Sequence, residues 1–235
     1  MRYIGFSTGA LALADFRTAL KILAMLPLDA VELSALREHE LFPLLDSFDE
    51  LDLGQFRYVS IHAPSQIGRK FEAAAAIRLA DFAARGIPII VHPDAINDWD
   101  LWVPMGRMLC IENMDKRKPI GRTADELERI FKRVPTASFC FDIGHARQID
   151  PTMNEAWRIL TDFGSRLSQV HVSEVGTSSR HDRLSFASKI AFQQVAHLIP
   201  ENVPLILETP ATADTAMEEV HEVSAALPLR TQQAA

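Results

Sequence analysis

Short apolar runs of strand length alternate with amphipathic segments along the whole chain, and six of those runs end on an imidazole or a carboxylate: Ser60-Ile61-His62, Ile90-Val91-His92, Cys110-Ile111-Glu112, Phe141-Asp142, Gln169-Val170-His171 and Leu207-Glu208. Near-continuous apolar runs are what strands buried on both faces look like. The amphipathic stretches between them are what a parallel sheet needs to carry the chain back to its starting edge. Strands are expected over 2–7, 29–33, 57–62, 87–92, 108–112, 138–142, 168–171 and 204–208. Helices are expected over 14–25, 71–85, 123–133, 152–163, 185–198 and 213–226, while the segments after the second and fourth strands carry no clear pattern. Thr123 with Glu126 three residues on reads as a capping box, and Gly86 as a helix stop.

Eight strands alternating with helices predict an α/β protein, a single (β/α)8 barrel over residues 1–226 followed by a frayed tail over 227–235. An open doubly wound sheet is the competing fold, but Gly5 and Gly9 lack the third glycine of a phosphate-binding fingerprint. At 235 residues and 48% hydrophobic the chain can bury one sizeable core, and no Gly/Ser linker divides it.

A net charge of −7 and a pI near 5.6 argue against nucleic acid or an anionic membrane as the partner. No apolar stretch approaches the roughly 20 residues of a membrane span. The first residues, Met1-Arg2-Tyr3-Ile4-Gly5-Phe6, read as a strand in place of a signal peptide, so a cytoplasmic protein is expected. Cys110 and Cys140 each precede a strand-end carboxylate by two residues, which places them on the same side, one layer deeper, as packing thiols.

In a parallel barrel the carboxyl ends of all strands open onto one face, so these distant side chains converge. Imidazole and carboxylate suit zinc, manganese, iron or cobalt. A lone buried histidine is ordinarily a hydrogen-bonded core residue. Many titratable groups in one apolar mouth require a neutralising cation. Asp142-Ile143-Gly144-His145 adds an imidazole three residues beyond a strand end, and Ser179-Arg180-His181-Asp182-Arg183 adds another flanked by guanidiniums. Arg180 and Arg183 are expected to hold an anionic substrate.

The ordered set His62-Ala63-Pro64, His92-Pro93, Glu112-Asn113, Asp142-Ile143-Gly144-His145, His171 and Glu208 resembles the xylose isomerase-like barrel superfamily over nearly the whole chain. That superfamily contains sugar isomerases and epimerases and also the endonuclease IV type of apurinic endonuclease. In the first branch, the resemblance implies one divalent metal (manganese, zinc or cobalt) on Glu112, Asp142, His171 and Glu208. Glu112 and Glu208 would move a proton next to a carbonyl, with His145 on the substrate. In the second, it implies a cluster of three zinc ions, reduced to two if the third is not held, with His62, His92 and Glu112 on one, Glu112 also bridging to Asp142 and Glu208, and His145, His171 and His181 on the others. Ser179 stands where that family has an aspartate ligand, which together with the acidic pI and short chain favours the isomerase or epimerase branch.

The expected partner is therefore a small carbohydrate or keto-acid, with phosphoesterase chemistry and a non-catalytic ligand-binding barrel as alternatives. Neither nucleic acid nor a membrane is expected as a partner, and a homo-oligomer is left open. Glu32, at the end of the second strand, either faces the same pocket as a substrate contact or is a structural carboxylate. The run Lys116-Arg117-Lys118, with Lys116 as the candidate contact, either grips a sugar phosphate from the fifth loop or is a solvated charge run. Trp99 and Trp102 either wall the pocket or pack the core, and His39, His197 and His221 fall on helices with no chemistry assigned.

Overall fold

A computed structural model describes residues 2–229; the portion 230–235 of the expected tail lies outside the described residues. Seven strands run from β1 (Ile4–Ser7), β2 (Ala30–Ser34), β3 (Tyr58–His62) and β4 (Ile89–Val91) to β5 (Leu109–Glu112), β6 (Ser138–Asp142) and β7 (Leu167–Val172). A short antiparallel ribbon, β8 (Glu174–Val175) and β9 (His181–Asp182), follows β7, and β10 (Leu205–Leu207) completes the set. β10 pairs in parallel with both β1 and β7, and β1 pairs with β2, so the eight long strands close into a barrel. Closure between β1 and β2 requires Gly5, because a Cβ there would lie 1.7 Å from the Ala30 carbonyl oxygen.

The two-residue period of each strand sorts its side chains. Val31, Leu33, Ile61, Ile89, Val91, Ile111, Phe139, Phe141, Val170, Leu205 and Leu207 join the large core between barrel and helices. Ile90, Cys110 and Cys140 form a separate apolar cluster. Both cysteines are free and buried one layer below Glu112 and Asp142, as their spacing predicts. Glu32, Ser60 and Gln169, all fully buried, make the rest of that layer polar.

The outer helices are α1 (Thr8–Ala12), α2 (Phe16–Leu23), α3 (Glu38–Ser47), α4 (Arg69–Ala84), α5 (Ala124–Arg133), α6 (Ile143–Ile149), α7 (Asn154–Phe163), α8 (Phe186–Val195) and α9 (Ala216–Ala226). α3 resolves the unclear segment after β2. The segment after β4 holds only 3-10 turns, over Pro93–Ala95, Trp99–Leu101 and Val103–Met108, with Gly106 at a positive φ inside the last. Gly86 ends α4 as expected, at φ +84°. The capping box is only half made: Thr123 accepts from the Glu126 N–H, but the Glu126 carboxylate takes the N–H and guanidinium of Arg122. The chain is also anchored further than expected, since Leu227 is buried and its carbonyl accepts from Arg2 Nη1 at 2.8 Å. Among the described residues, no helix is long and apolar enough to cross a membrane.

Candidate metal centre

The ends of β3, β5, β6 and β7 and the residues just past β4 and β10 bring His62, Glu112, Asp142, His171, His92 and Glu208 to one mouth of the barrel. Glu112 is the hub. Its Oε2 lies 3.1 Å from His62 Nε2 and 3.4 Å from His92 Nε2, and its Oε1 lies 3.3 Å from His145 Nδ1 and 3.6 Å from His171 Nδ1. His171 Nδ1 is also 3.6 Å from Glu208 Oε1, and His181 Nδ1 is 3.4 Å from Glu208 Oε2.

Local chemistry aims each group. Asp142 is the N-cap of α6, its Oδ1 accepting from the His145 N–H at 2.6 Å. Gly144 lets that first turn sit against β7, because a Cβ there would come within 2.5 Å of the Ser173 carbonyl oxygen. Asn113 clamps the end of β6: its Nδ2 donates to the Asp142 carbonyl and its Oδ1 accepts from the Asp142 N–H, both at 2.8 Å. The Asn113 carbonyl lies 3.0 Å from His145 Nδ1, and the Ala63 carbonyl 2.7 Å from His62 Nδ1. Each carbonyl can take an Nδ1–H, which leaves the corresponding Nε2 for a ligand.

The electrostatics are those of charges that compensate one another. Burial works against protonating His62, yet its hydrogen bond to Glu112 and the charge of Glu32 push it up to about 9. His145 is pushed up to about 10, with burial outweighed by the charge of Asp142 and the hydrogen bond to Glu112. Burial raises Asp142 to about 6 against the pull of His145, whereas His171 and His92 hold Glu112 well below the usual carboxylate range despite its burial. His92 is lowered, chiefly by burial.

Among the described residues four overlapping groups of ligand atoms lie within 4.8 Å of one another, and two of them match the expected sets: Glu112, Asp142, His171 and Glu208, and His62, His92 and Glu112. Asp142 Oδ2, His171 Nδ1 and Glu208 Oε2 are buried with no hydrogen-bond partner. Such orphans are rare in a folded protein, and three in one group of mixed oxygen and nitrogen donors fit a divalent cation.

The cavity above these groups encloses about 580 Å3 and is lined by His62, His92, Glu112, His145, His181 and Glu208. Other expected contacts lie elsewhere. Arg180 and Lys116 are exposed and do not line it, and Arg183 pairs with Glu218 and Glu219 on α9. Glu32 is fully buried beneath His171 and does not line the cavity, the position of a structural carboxylate. Trp102 is fully buried with its Nε1–H on Glu72, and neither it nor Trp99 lines the cavity.

In their place stand Asp115, which the sequence did not bring forward, and Arg117 and Lys118, two members of the run expected to grip a sugar phosphate. Lys118 Nζ reaches Asp94 at 2.9 Å. Asp115 accepts from Ser179 Oγ at 2.8 Å and from Arg117, so a carboxylate does stand beside the serine that replaces an expected one. Its position in Glu112-Asn113-Met114-Asp115, three past a strand-end ligand, is the same interval as Asp142 to His145, and that was the available signal.

No family model matches the sequence, and no curated protein matches it. Solved structures do share its architecture. A xylose isomerase domain protein from Alicyclobacillus acidocaldarius superposes with a TM-score of 0.67 at 10% identity, covering 97% of this chain and 98% of that one. The 3-keto-D-glucoside 4-epimerase from E. coli, in its apo form, gives 0.62 at 13% identity over 96% and 99% of the two chains. SacUVDE gives 0.59 at 14% identity over 97% and 100%. At such identities likeness speaks for the fold and not the reaction, and the fold these structures share with this chain is the closed (β/α)8 barrel.

Proposed function

We propose that this protein is a divalent-metal-dependent isomerase or epimerase acting on a small sugar, sugar phosphate or keto-acid. The observation that supports it is the trio of buried atoms that make no hydrogen bond, Asp142 Oδ2, His171 Nδ1 and Glu208 Oε2, which meet their neighbours only in ion-pair contacts of 3.4 to 3.6 Å and are gathered around Glu112. Each unsatisfied buried polar group costs about 1–3 kcal/mol, so the set is arranged for a ligand. Glu112, Asp142, His171 and Glu208 would hold the cation, which when bound polarises a carbonyl beside the carbon that exchanges its proton.

Glu208, with a side chain 16% exposed at the cavity wall, is the group placed to take and return that proton. Glu112 lies deeper, 1% exposed, and serves as the opposing carboxylate. His145, its Nδ1 facing the Asn113 carbonyl, offers Nε2 to a substrate oxygen. The cavity of about 580 Å3 suits a monosaccharide with a few waters, and the Arg117–Asp115 and Lys118–Asp94 pairs on its wall offer both donors and acceptors to the sugar's hydroxyl groups. In a panel of ketoses, ketose phosphates and 3-keto-D-glucosides with added manganese or cobalt, one member is expected to take up solvent deuterium at carbon. Glu208→Gln is expected to abolish that exchange while keeping the fold, and undiminished exchange would refute the role of Glu208.

A second reading is favoured by one observation, the approach of both His62 Nε2 and His92 Nε2 to Glu112 Oε2. A second cation there would make a bridged centre suited to phosphodiester hydrolysis. Metal content separates the two: one equivalent per chain supports the isomerase or epimerase, two or more the hydrolase.

A further inference from the structure

The interior layer below the metal centre carries a carboxylate that the proposed chemistry does not use. Barrel interiors are ordinarily packed with branched aliphatic side chains. Here Glu32 of β2 reaches across the barrel to β7, where its Oε2 lies 3.0 Å from His171 Nε2. The same oxygen accepts from Gln169 Nε2 at 2.7 Å and from Ser60 Oγ at 3.4 Å. Gln169 Oε1 in turn accepts from the Tyr58 hydroxyl at 2.6 Å. Glu32, Ser60, Gln169 and His171 are all fully buried, so this column lies out of reach of bulk solvent.

A buried carboxylate is poorly explained by stability alone, because apolar side chains of similar volume commonly do as well or better in such places. Its geometry supplies another reason. A carboxylate only accepts, so the nitrogen facing it must donate, which puts a hydrogen on His171 Nε2. Gln169 Nε2 lies 2.7 Å from the same nitrogen, but its two amide hydrogens have acceptors in Glu32 Oε2 and Cys140 Sγ. The carboxylate therefore sets the tautomer. With Nε2 carrying the hydrogen, the lone pair sits on Nδ1, the atom that faces Glu112 and Glu208 and has no hydrogen-bond partner.

We propose that Glu32 is the positioning residue of the metal centre, holding His171 in the tautomer and ring orientation that present Nδ1 to the cation. The inference rests on His171 being a cation ligand, as proposed above. Glu32 touches no substrate and lines no part of the cavity. It acts through the imidazole, and Gln169, Ser60 and Tyr58 hold its carboxylate in place. Partners of this kind typically change metal affinity by about 10–100-fold when removed.

The test is a Co(II) titration of chelator-treated wild type, Glu32→Met and Glu32→Gln, followed by calorimetry and by the visible spectrum of the bound ion, with the thermal midpoint of each metal-free protein recorded alongside. Glu32→Met is expected to bind the same number of Co(II) ions about 10–100-fold more weakly with an altered spectrum. Glu32→Gln, whose amide oxygen still accepts the Nε2–H, is expected to fall between it and wild type. Should Glu32→Met not fold, Glu32→Gln decides alone, by a weakened affinity with an intact midpoint. Wild-type affinity and spectrum in the variants, even with a lowered midpoint, would overturn the proposal and leave Glu32 a structural residue. Loss of one bound Co(II) per chain would overturn it differently, by making Glu32 itself a ligand, since Glu32, His62, His171 and Glu208 also offer atoms within 4.8 Å of one another. A wild type that binds no Co(II) at all would instead bring down the metal-centre reading on which the proposal stands.

Discussion

Replacing Asn113 with alanine is expected to damage the metal centre without touching a ligand. The Asn113 side chain makes two 2.8 Å hydrogen bonds, one to each polar backbone group of Asp142, and both residues are fully buried. Alanine leaves that N–H and C=O without their partner, at about 1–3 kcal/mol each, so the variant is expected to lose about 4 kcal/mol. For a domain of this size each kcal/mol moves the thermal midpoint by about 2–4 °C, which gives a fall of about 8–16 °C by differential scanning calorimetry. Because Asp142 both carries a candidate ligand atom and caps the turn that holds His145, Co(II) affinity is expected to fall with it. Asn113→Asp provides the sharper comparison: it keeps an acceptor for the N–H but turns an oxygen onto the Asp142 carbonyl, and is expected to lose at least as much. A loss below about 1 kcal/mol in Asn113→Ala would refute the view that this clamp fixes the end of β6.

The charge pattern of the metal-free site makes a pH prediction. His62 and His145 rise from 6.5 to about 9 and about 10 in the folded state, so the stability they contribute is full below pH 6.5 and is lost as pH climbs through those values. The midpoint of chelator-treated protein is expected to fall between pH 7 and pH 10, and a flat or rising midpoint would contradict the pairing described. Arg183→Ala strips the buried Glu219 of its guanidinium partner and is expected to cost about 1–3 kcal/mol by denaturant titration. It is expected to leave Co(II) affinity unchanged, as is Arg180→Ala, and a weakened affinity in either variant would return the guanidiniums to the site.

Much of the fold and the heart of the site were legible because a parallel barrel writes its geometry into the chain. A strand's two-residue period and its carboxyl end are local properties, so His62, Glu112, Asp142 and His171 announce both their face and their height. Cys110 and Cys140, two residues earlier, announce the layer beneath. What escaped depended on partners far along the chain or on irregular backbone. Gln169 meets Glu32 across 137 positions and Asn113 meets Asp142 across 29, and neither pairing leaves a trace in local pattern. The β8–β9 ribbon turns Arg183 toward α9 and leaves Arg180 in solvent, which spacing around His181 does not reveal. In the loop after β5 the charged run was noticed, but which member faces the cavity depends on the turns around it, and they select Arg117 and Lys118 over Lys116. After β4, Pro93, Pro104 and Gly106 break the backbone into 3-10 turns where a helix would otherwise run.

The central claim is that the barrel mouth is a divalent-metal centre built on Glu112. Anomalous diffraction at the manganese, cobalt and zinc edges, from crystals of protein purified without chelator and supplied with each metal, tests it most directly because it locates, identifies and counts the ions together. The account predicts a peak among Glu112, Asp142, His171 and Glu208, with any second peak among His62, His92 and Glu112. Metal-supplied crystals with no peak at either place, and with Asp142 Oδ2, His171 Nδ1 and Glu208 Oε2 satisfied by water or by one another, would contradict it.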